Sequence, residues 1–152
     1  MPFIRLIALF AVLPVLAACE SSEVARYNIL NDERDMFVYH APRERIIAEV
    51  TQLLAERGHT IAEANAMTLT SNAVPDGRGL STKYVVRLIP ASSGMLVHIM
   101  DVLSESDGHV TSDRRHDELE WELIQRVEPD RAIKIAEHAN DVRDDLRGHN
   151  HR

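Results

Sequence analysis

Residues 43–58 read RERIIAEVTQLLAERG, and this stretch gives the clearest structural signal in the chain. Pro42 before it suits the first turn of a helix, and Gly58 stands where a glycine commonly ends one. The apolar side chains recur at the spacing of one helical face, and they are Ile46, Ile47, Val50, Leu53 and Leu54. The stretch therefore predicts a helix over residues 43–57 whose apolar face belongs to a core.

Short β-rich segments lie on both sides of this helix. Apolar and polar residues alternate in most of them, and polar or glycine-containing turns separate them. They cover residues 36–40, 59–63, 67–71, 84–89 and 95–103. The last segment has apolar residues on both faces, so we expect it to lie centrally in a sheet or to be covered on both sides.

Two further helices are predicted after the strands. Residues 104–113 are polar and predict a loop, with Asp113 as the N-cap of a helix that runs to Val127. Pro129 disfavours helical geometry in the residue before it, so a second helix begins at Asp130. The apolar residues expected to face inward are Leu119, Leu123, Ile124 and Val127 in the first helix and Ala132, Ile135, Ala136, Ala139, Val142 and Leu146 in the second.

The order of these elements, β-α-β-β-β-β-α-α, predicts an α+β fold in which an antiparallel sheet of about four to five strands packs against helices. A length of 152 residues allows one folded domain, which we place at residues 35–146. Over this range, the order of elements and the placement of the apolar stripes resemble the helix-grip domains of BamC-like periplasmic lipoproteins. The resemblance concerns shape and implies no particular activity.

Residues 1–18 predict an export signal. Arg5 supplies a positive charge, and the run from Leu6 to Ala18 carries none. A membrane-spanning helix needs about 20 apolar residues, so this run is too short for a permanent span. Pro14 within the run disfavours a spanning helix further.

The sequence Leu16-Ala17-Ala18-Cys19 resembles the lipobox of bacterial lipoproteins. The resemblance implies cleavage of the signal between Ala18 and Cys19, acylation of the Cys19 thiol and acylation of the new N-terminus. Cys19 is also the chain's only cysteine. The alternative is an ordinary secretory leader with a chance cysteine. Glu20, where inner-membrane lipoproteins of enterobacteria carry Asp, implies the periplasmic side of the outer membrane.

The segments flanking the predicted domain are polar. Residues 19–34 are predicted to form the lipidated N-terminus and a flexible tether, because they lack a clear apolar period. Residues 147–152 are predicted to be a disordered tail.

The composition argues against several classes of protein. A net charge of -7 and an aromatic content of 5% disfavour binding to nucleic acid, which needs positive charge and often aromatic stacking. A single cysteine excludes an intramolecular disulfide and any metal site built from several thiolates.

The histidines raise the possibility of a metal site near the polar loop. His98, His109 and His116 lie around this loop together with Asp107 and Asp113. No HExxH motif or other paired histidine spacing accompanies them. We therefore interpret them as surface residues, expect His109 and His116 to contribute little to stability, and predict no metal or cofactor.

No catalytic motif stands out. The chain lacks a G-x-S-x-G elbow and a P-loop lysine. Glu118, Glu120 and Glu122 form an acidic run, and Arg114 and Arg126 lie four residues from its ends. This spacing is typical of a solvated, charge-paired helix face. We predict that the protein is not an enzyme, and we rank a hydrolase or metal-dependent enzyme built on the histidine and aspartate loop last.

Trp121 is the chain's only tryptophan and lies about 200° around its helix from the inward Leu119. It either contacts a partner protein or packs at the edge of the domain's own core. Together these features predict a non-catalytic outer-membrane lipoprotein that contacts another envelope protein, as an interaction domain or accessory subunit. The alternative is a periplasmic module that binds a lipid or a small apolar ligand.

Overall fold

The structure is a computed structural model that describes residues 22–149. The predicted signal, the lipobox with Ala18 and Cys19, and residues 150–152 of the predicted tail lie outside this range. The described chain divides into two compact units. One contains residues 36–132, and the other contains a helix over residues 22–35, named α1, together with residues 133–149.

The unit of residues 36–132 contains a seven-stranded antiparallel sheet and its helices. In chain order its elements are β1 (Val38–Tyr39), α2 (Arg43–Glu56), β2 (Ile61–Ala64), β3 (Thr68–Ser71), β4 (Val74–Pro75), β5 (Leu80–Ala91), β6 (Gly94–Glu105), β7 (Val110–Arg115), α3 (Asp117–Val127) and the start of α4 (Pro129–His149). This architecture confirms the predicted α+β fold, with an antiparallel sheet packed against helices. The sheet has seven strands and not the expected four to five. The two additional strands are β4, which has only two residues, and β7, which is almost entirely polar, so neither shows an apolar alternation.

The strand order in the sheet is β1-β6-β5-β3-β2, while β4 also pairs with β5 and β7 with β6. A long hairpin of β5 and β6 forms its centre, with register from Leu80 opposite Glu105 to Ala91 opposite Gly94. Gly94 is required by the close approach of β1, since an added Cβ would lie 2.0 Å from the backbone oxygen of Tyr39. Residues 95–103 thus lie in a strand that has neighbours on both sides, which is the first of the two alternatives predicted for them.

The core lies between one face of the sheet and helices α2 and α3. The predicted apolar stripe of α2 is buried except for Ile47, which is half-buried. Alternate residues of the strands complete this core, as expected from the two-residue period of a strand. The buried apolar residues of the sheet and α3 include Leu69, Val86, Leu88, Val97, Ile99, Leu119, Leu123, Ile124 and Val127.

The segment between β6 and α3 differs from the prediction. Residues 110–115 form strand β7, in which Asp113 pairs opposite Val102 of β6. Asp113 is therefore not a helix cap, and His116 occupies the N-cap position of α3. The strand has almost no apolar residues, so its geometry depends on hydrogen bonds to β6 and not on an apolar pattern.

The unit of residues 22–35 and 133–149 consists of helical segments. Arg26 Nε donates to Asn140 Oδ1 at 2.8 Å, and Arg147 Nη2 lies 2.6 Å from Glu23 Oε1. These two contacts show that the segments run antiparallel. Arg26 and Glu23, two polar residues of a segment without an apolar period, thus bind residues of the neighbouring helix.

Two predicted boundaries differ from this arrangement. The predicted tether is helical over residues 22–35, and the tail is helical as far as His149. Residues 133–146, predicted to belong to the single domain, group with α1 instead. Among residues 22–149, no helix combines the length and apolar character needed to cross a bilayer.

Candidate functional site

A polar cleft of about 340 Å³ lies where strands β6 and β7 meet the start of α3. We call it the Asp101 cleft. Carboxylates, guanidinium groups and an imidazole line it, contributed by Asp101, Arg114, Arg115, His116, Asp117 and Glu118. Five of these six residues are consecutive, because the chain reverses from β7 into α3 at this point.

Sheet register places Asp101 at the centre of the site. Tyr84 of β5 and Arg114 of β7 lie directly opposite Asp101 on its two neighbouring strands. Asp101 is only 8% exposed, although it lines the cleft. Arg114 Nε lies 3.3 Å from Asp101 Oδ2, while Arg114 has a side chain that is 73% exposed. The contact is therefore long, and it is exposed to solvent on its Arg114 side only.

The second carboxylate oxygen of Asp101 has unused acceptor capacity. Oδ1 is buried and accepts no hydrogen bond from any residue between 22 and 149. A buried acceptor without a donor costs roughly 1–3 kcal/mol. Most buried polar groups in proteins are hydrogen-bonded, so this oxygen distinguishes Asp101 from an ordinary structural aspartate.

The charge of Asp101 affects the pKa of the neighbouring Tyr84. Burial raises the pKa of the Tyr84 hydroxyl, and the Asp101 carboxylate raises it further, while Arg57 acts in the opposite direction. Tyr84 therefore remains a neutral phenol around neutral pH. Its ring contacts two histidines, with centroid distances of 4.8 Å to His59 and 5.7 Å to His116.

His116 connects the cleft with helix α3. Its Nδ1 accepts a hydrogen bond from the backbone N–H of Leu119 at 3.3 Å, which caps the helix. Its own backbone N–H donates to the oxygen of Ile99 at 2.7 Å. The expectation that His116 is a surface residue of little structural consequence is therefore revised. The prediction missed this role because it placed the start of α3 at Asp113.

Glu120 is also placed differently from the prediction. The acidic run suggested a solvated carboxylate, but Glu120 is only 2% exposed. Its Oε1 accepts from the backbone N–H of Ile99 at 2.7 Å, and Arg115 forms an ion pair with its carboxylate. Glu120 thus joins α3 to the sheet, directly behind the lining of the cleft.

The other members of the acidic run lie at the surface of α3. Glu122 Oε1 lies 2.6 Å from Arg126 Nη2, so the pairing predicted at this end of the run is confirmed. At the other end, Arg114 does not belong to the helix but lies on β7, where it contacts Asp101. Glu122 Oε2 also lies 2.6 Å from Arg57 Nη2. Burial acts to raise the pKa of Glu122, but hydrogen bonds from Arg57 and Arg126 lower it overall. Trp121 is half-buried, and Glu118 is exposed at the edge of the cleft.

The remaining metal candidates are dispersed. Asp107 and His109 occupy the exposed turn between β6 and β7, where Asp107 Oδ1 accepts from the backbone N–H of His109 at 2.9 Å. His98 lies on the face of β6 opposite to Asp101, because successive strand residues alternate. Within the described part of the chain, no three histidine, cysteine or acidic side chains are grouped to hold a metal ion.

Comparison with known proteins adds no assignment. No protein-family model, curated protein or solved structure matches this chain. The lipobox interpretation, including cleavage at Ala18 and acylation of Cys19, concerns residues outside the described range and stays a prediction. The helix-grip resemblance also stays a prediction.

The chemistry of the cleft follows from its lining. It combines a buried carboxylate that has an unused acceptor oxygen with guanidinium donors and exposed carboxylates. Such a surface recognises polar or charged groups through directed hydrogen bonds. No residue of its lining offers the apolar wall that a lipid chain requires.

Proposed function

We propose that the protein is a non-catalytic lipoprotein, anchored through Cys19 to the periplasmic side of the outer membrane, whose domain contacts another envelope protein. The observation that carries this proposal is Leu16-Ala17-Ala18-Cys19 at the end of a short uncharged run. Its cysteine is the only one in the chain, at the one position where acylation requires it.

A lipid anchor of this kind is physically sufficient. Each buried methylene contributes about 0.8 kcal/mol to membrane binding, and a single acyl chain gives only marginal attachment. Acylation of both the thiol and the new N-terminus supplies more than one chain, which gives stable anchoring. Residue 22 is three positions after Cys19, a span of about 10 Å at most. The anchor would therefore hold the start of α1 close to the bilayer.

The Asp101 cleft and Trp121 support the partner-contact role. A half-buried tryptophan on a helix presents apolar area, and the charged cleft at the start of the same helix supplies directional contacts. The alternative, a lipid or small apolar ligand, gains no support from this cleft because its lining is charged.

Metabolic labelling with palmitate tests the anchor. We expect wild type to incorporate label and to fractionate with the outer membrane. Cys19→Ala should incorporate none and should accumulate as unprocessed precursor or as protein cut elsewhere. As a matched control, the double variant Cys19→Ala, Ser21→Cys restores a thiol two residues away and should stay unlabelled. An unlabelled wild type that is freely soluble in the periplasm would refute the proposal.

Site-specific photo-crosslinking in intact cells tests the partner contact. A photoreactive residue in place of Trp121 should give a discrete crosslinked product with an envelope protein. The same residue in place of Thr51, which is exposed on α2, serves as the control and should not. Equal products at both positions, or no product at Trp121, would count against a partner at this face of α3.

A further inference from the structure

We propose that the outward face of α1, which carries Val24 and Tyr27, docks on the surface of the bilayer to which Cys19 is anchored. The two side chains are 52% and 58% exposed, and their spacing of three residues places them on one side of the helix. A valine and a tyrosine suit the membrane interface, where apolar side chains enter the acyl boundary and tyrosine rings lie at the level of the headgroups.

The opposite side of α1 packs against the neighbouring helical segment of its own unit. Arg147 Nε donates to Ser22 Oγ at 3.2 Å, and Arg26 Nε donates to Asn140 Oδ1 at 2.8 Å. Val24 stands two positions from Ser22 and two from Arg26, so it lies about 160° around the helix from each of them. The face that carries Val24 is therefore turned away from this packing.

The length of chain between the anchor and α1 identifies the bilayer as the occupant of this face. Residue 22 lies at most about 10 Å from Cys19, and Val24 and Tyr27 follow about 3 Å and 8 Å further along the helix axis. Both side chains are thus held within about 20 Å of the acylated residue. The inference rests on the proposed function for this anchor.

The anchor also makes a small apolar face sufficient. Docking of a tethered surface is intramolecular, so its effective concentration at the bilayer is high and weak contacts are populated. Leu146, which is 40% exposed, lies at the same end of the unit, because the adjacent Arg147 binds Glu23 near the start of α1. Leu146 therefore extends the apolar surface at the anchored end.

Electrostatic attraction contributes little to this docking. Arg147 Nη2 lies 2.6 Å from Glu23 Oε1, and Arg143 Nε lies 2.9 Å from Asp144 Oδ1, so these charges are compensated within the unit. Polybasic segments, by contrast, bind anionic lipids through charge, and salt weakens their binding. Docking of α1 should therefore persist when the ionic strength is raised.

Site-directed spin labelling of the full mature protein in vesicles of phosphatidylethanolamine and phosphatidylglycerol tests the docking. Acylation blocks the thiol of Cys19, the chain's only cysteine, so an added cysteine is the only free thiol. Asn28→Cys places the label on the exposed side of α1, four residues after Val24, and keeps both apolar residues. Glu33→Cys, also exposed, lies about 140° around the helix from Asn28 and is the control.

The measured quantity is the ratio of the label's collision rates with oxygen, which concentrates in lipid, and with a water-soluble nickel chelate. This ratio should be at least about threefold higher at Asn28 than at Glu33, because the label at Asn28 enters the acyl boundary. The double variant Val24→Ser, Tyr27→Ser should lower it to the value at Glu33. Val110→Ser, which removes an exposed apolar residue of β7, is the matched control and should leave it unchanged.

Two further measurements keep the test decisive if the serine variant loses its helix. Tyr27→Trp keeps an aromatic ring suited to the interface and should retain the high ratio at Asn28. Added sodium chloride should also leave this ratio unchanged, whereas a loss in salt would show that charge holds α1 at the membrane.

Several results would overturn the docking. They are equal ratios at Asn28 and Glu33, an unchanged ratio in the double serine variant, a low ratio in Tyr27→Trp, or a loss of the ratio in salt. Shielding of Asn28 from both oxygen and the nickel chelate would show a protein on this face, a partner or a second copy, and would also overturn it.

Mass spectrometry of the same sample reports the acylation of Cys19 and separates the two proposals. An acylated chain whose Asn28 label is exposed to water would refute the docking and leave the anchor standing. An unacylated chain would refute the anchor and, with it, the docking that rests on it.

Discussion

Helix α3 presents two different environments. Along its length Leu119, Leu123 and Ile124 are completely or almost completely buried in the apolar core. At its N-terminal end Asp117 and Glu118 border a charged cleft beside Asp101. The apolar face therefore fixes where the helix lies, while the polar end is left to present side chains. Changes in the core should therefore affect stability, and changes at the cleft should affect binding.

The largest expected effect comes from the core. Leu53 of α2 is fully buried, so Leu53→Ala removes contacts and leaves a cavity that costs about 2–5 kcal/mol in unfolding free energy. Glu118→Ala at the rim of the cleft should change this free energy by less than about 0.5 kcal/mol. Urea denaturation of both variants measures the difference. Similar losses of unfolding free energy in the two variants would contradict the distinction between core and cleft.

A smaller effect is expected where the two environments meet. His116→Ala removes the side-chain acceptor that caps α3 and should lower the unfolding free energy by about 0.5–2 kcal/mol. His109→Ala, in the exposed turn before β7, should be close to neutral. Thermal unfolding of the two variants gives the comparison. An unchanged midpoint for His116→Ala would show that the cap contributes nothing.

The smallest effect concerns the ion pairs on the outer side of α2 and α3. The hydrogen bond from Arg126 lowers the pKa of Glu56 to about 2, and the pKa of Glu122 is also lowered. A carboxylate whose pKa is lowered in the folded state stabilises the fold at pH values above 4.5, the ordinary pKa of a glutamate. This stabilisation is lost as the pH falls towards 2. Glu122→Gln should therefore destabilise the protein by about 0.2–1 kcal/mol at pH 7.

The pH dependence supplies the check on this assignment. Urea unfolding at pH 7 should separate Glu122→Gln from wild type. At pH 2.5 the difference should be smaller, because acid favours protonation of the Glu122 carboxylate and a neutral carboxyl loses the ion pair. Glu118→Gln on the same helix is the control and should follow wild type at both values. If the difference in unfolding free energy between Glu122→Gln and wild type does not decrease in acid, the ion pairs are excluded as its cause.

Much of the fold could be predicted because its apolar residues follow regular periods. The stripe of α2, the inward face of α3 and the break before Pro129 all appear where local patterns indicate them. Strand β7 and helix α1 carry no such signal. Strand β7 depends on pairing with β6, and helix α1 groups with residues 133–149. A local sequence pattern does not reveal such long-range partners.

The candidate site could not be predicted from local patterns. Asp101 stands in an apolar strand with nothing beside it in sequence to suggest a function, and register alone aligns it with Tyr84 and Arg114. Glu120 was predicted to be solvated because the residues around it are charged, whereas the turn from β7 into α3 buries it against Arg115. The alignment of Asp101 and the burial of Glu120 both result from contacts in three dimensions, which the composition of the local sequence does not indicate.

Intact mass spectrometry of the purified mature protein tests the proposed anchor at Cys19 most directly. We expect a chain that begins at Cys19 and exceeds its polypeptide mass by the acyl groups on the thiol and the N-terminus. Mild alkaline hydrolysis should remove the base-labile acyl groups attached at the sulfur and leave the amide-linked one. A mature chain that begins elsewhere, or one that carries Cys19 as a free thiol, would contradict the account.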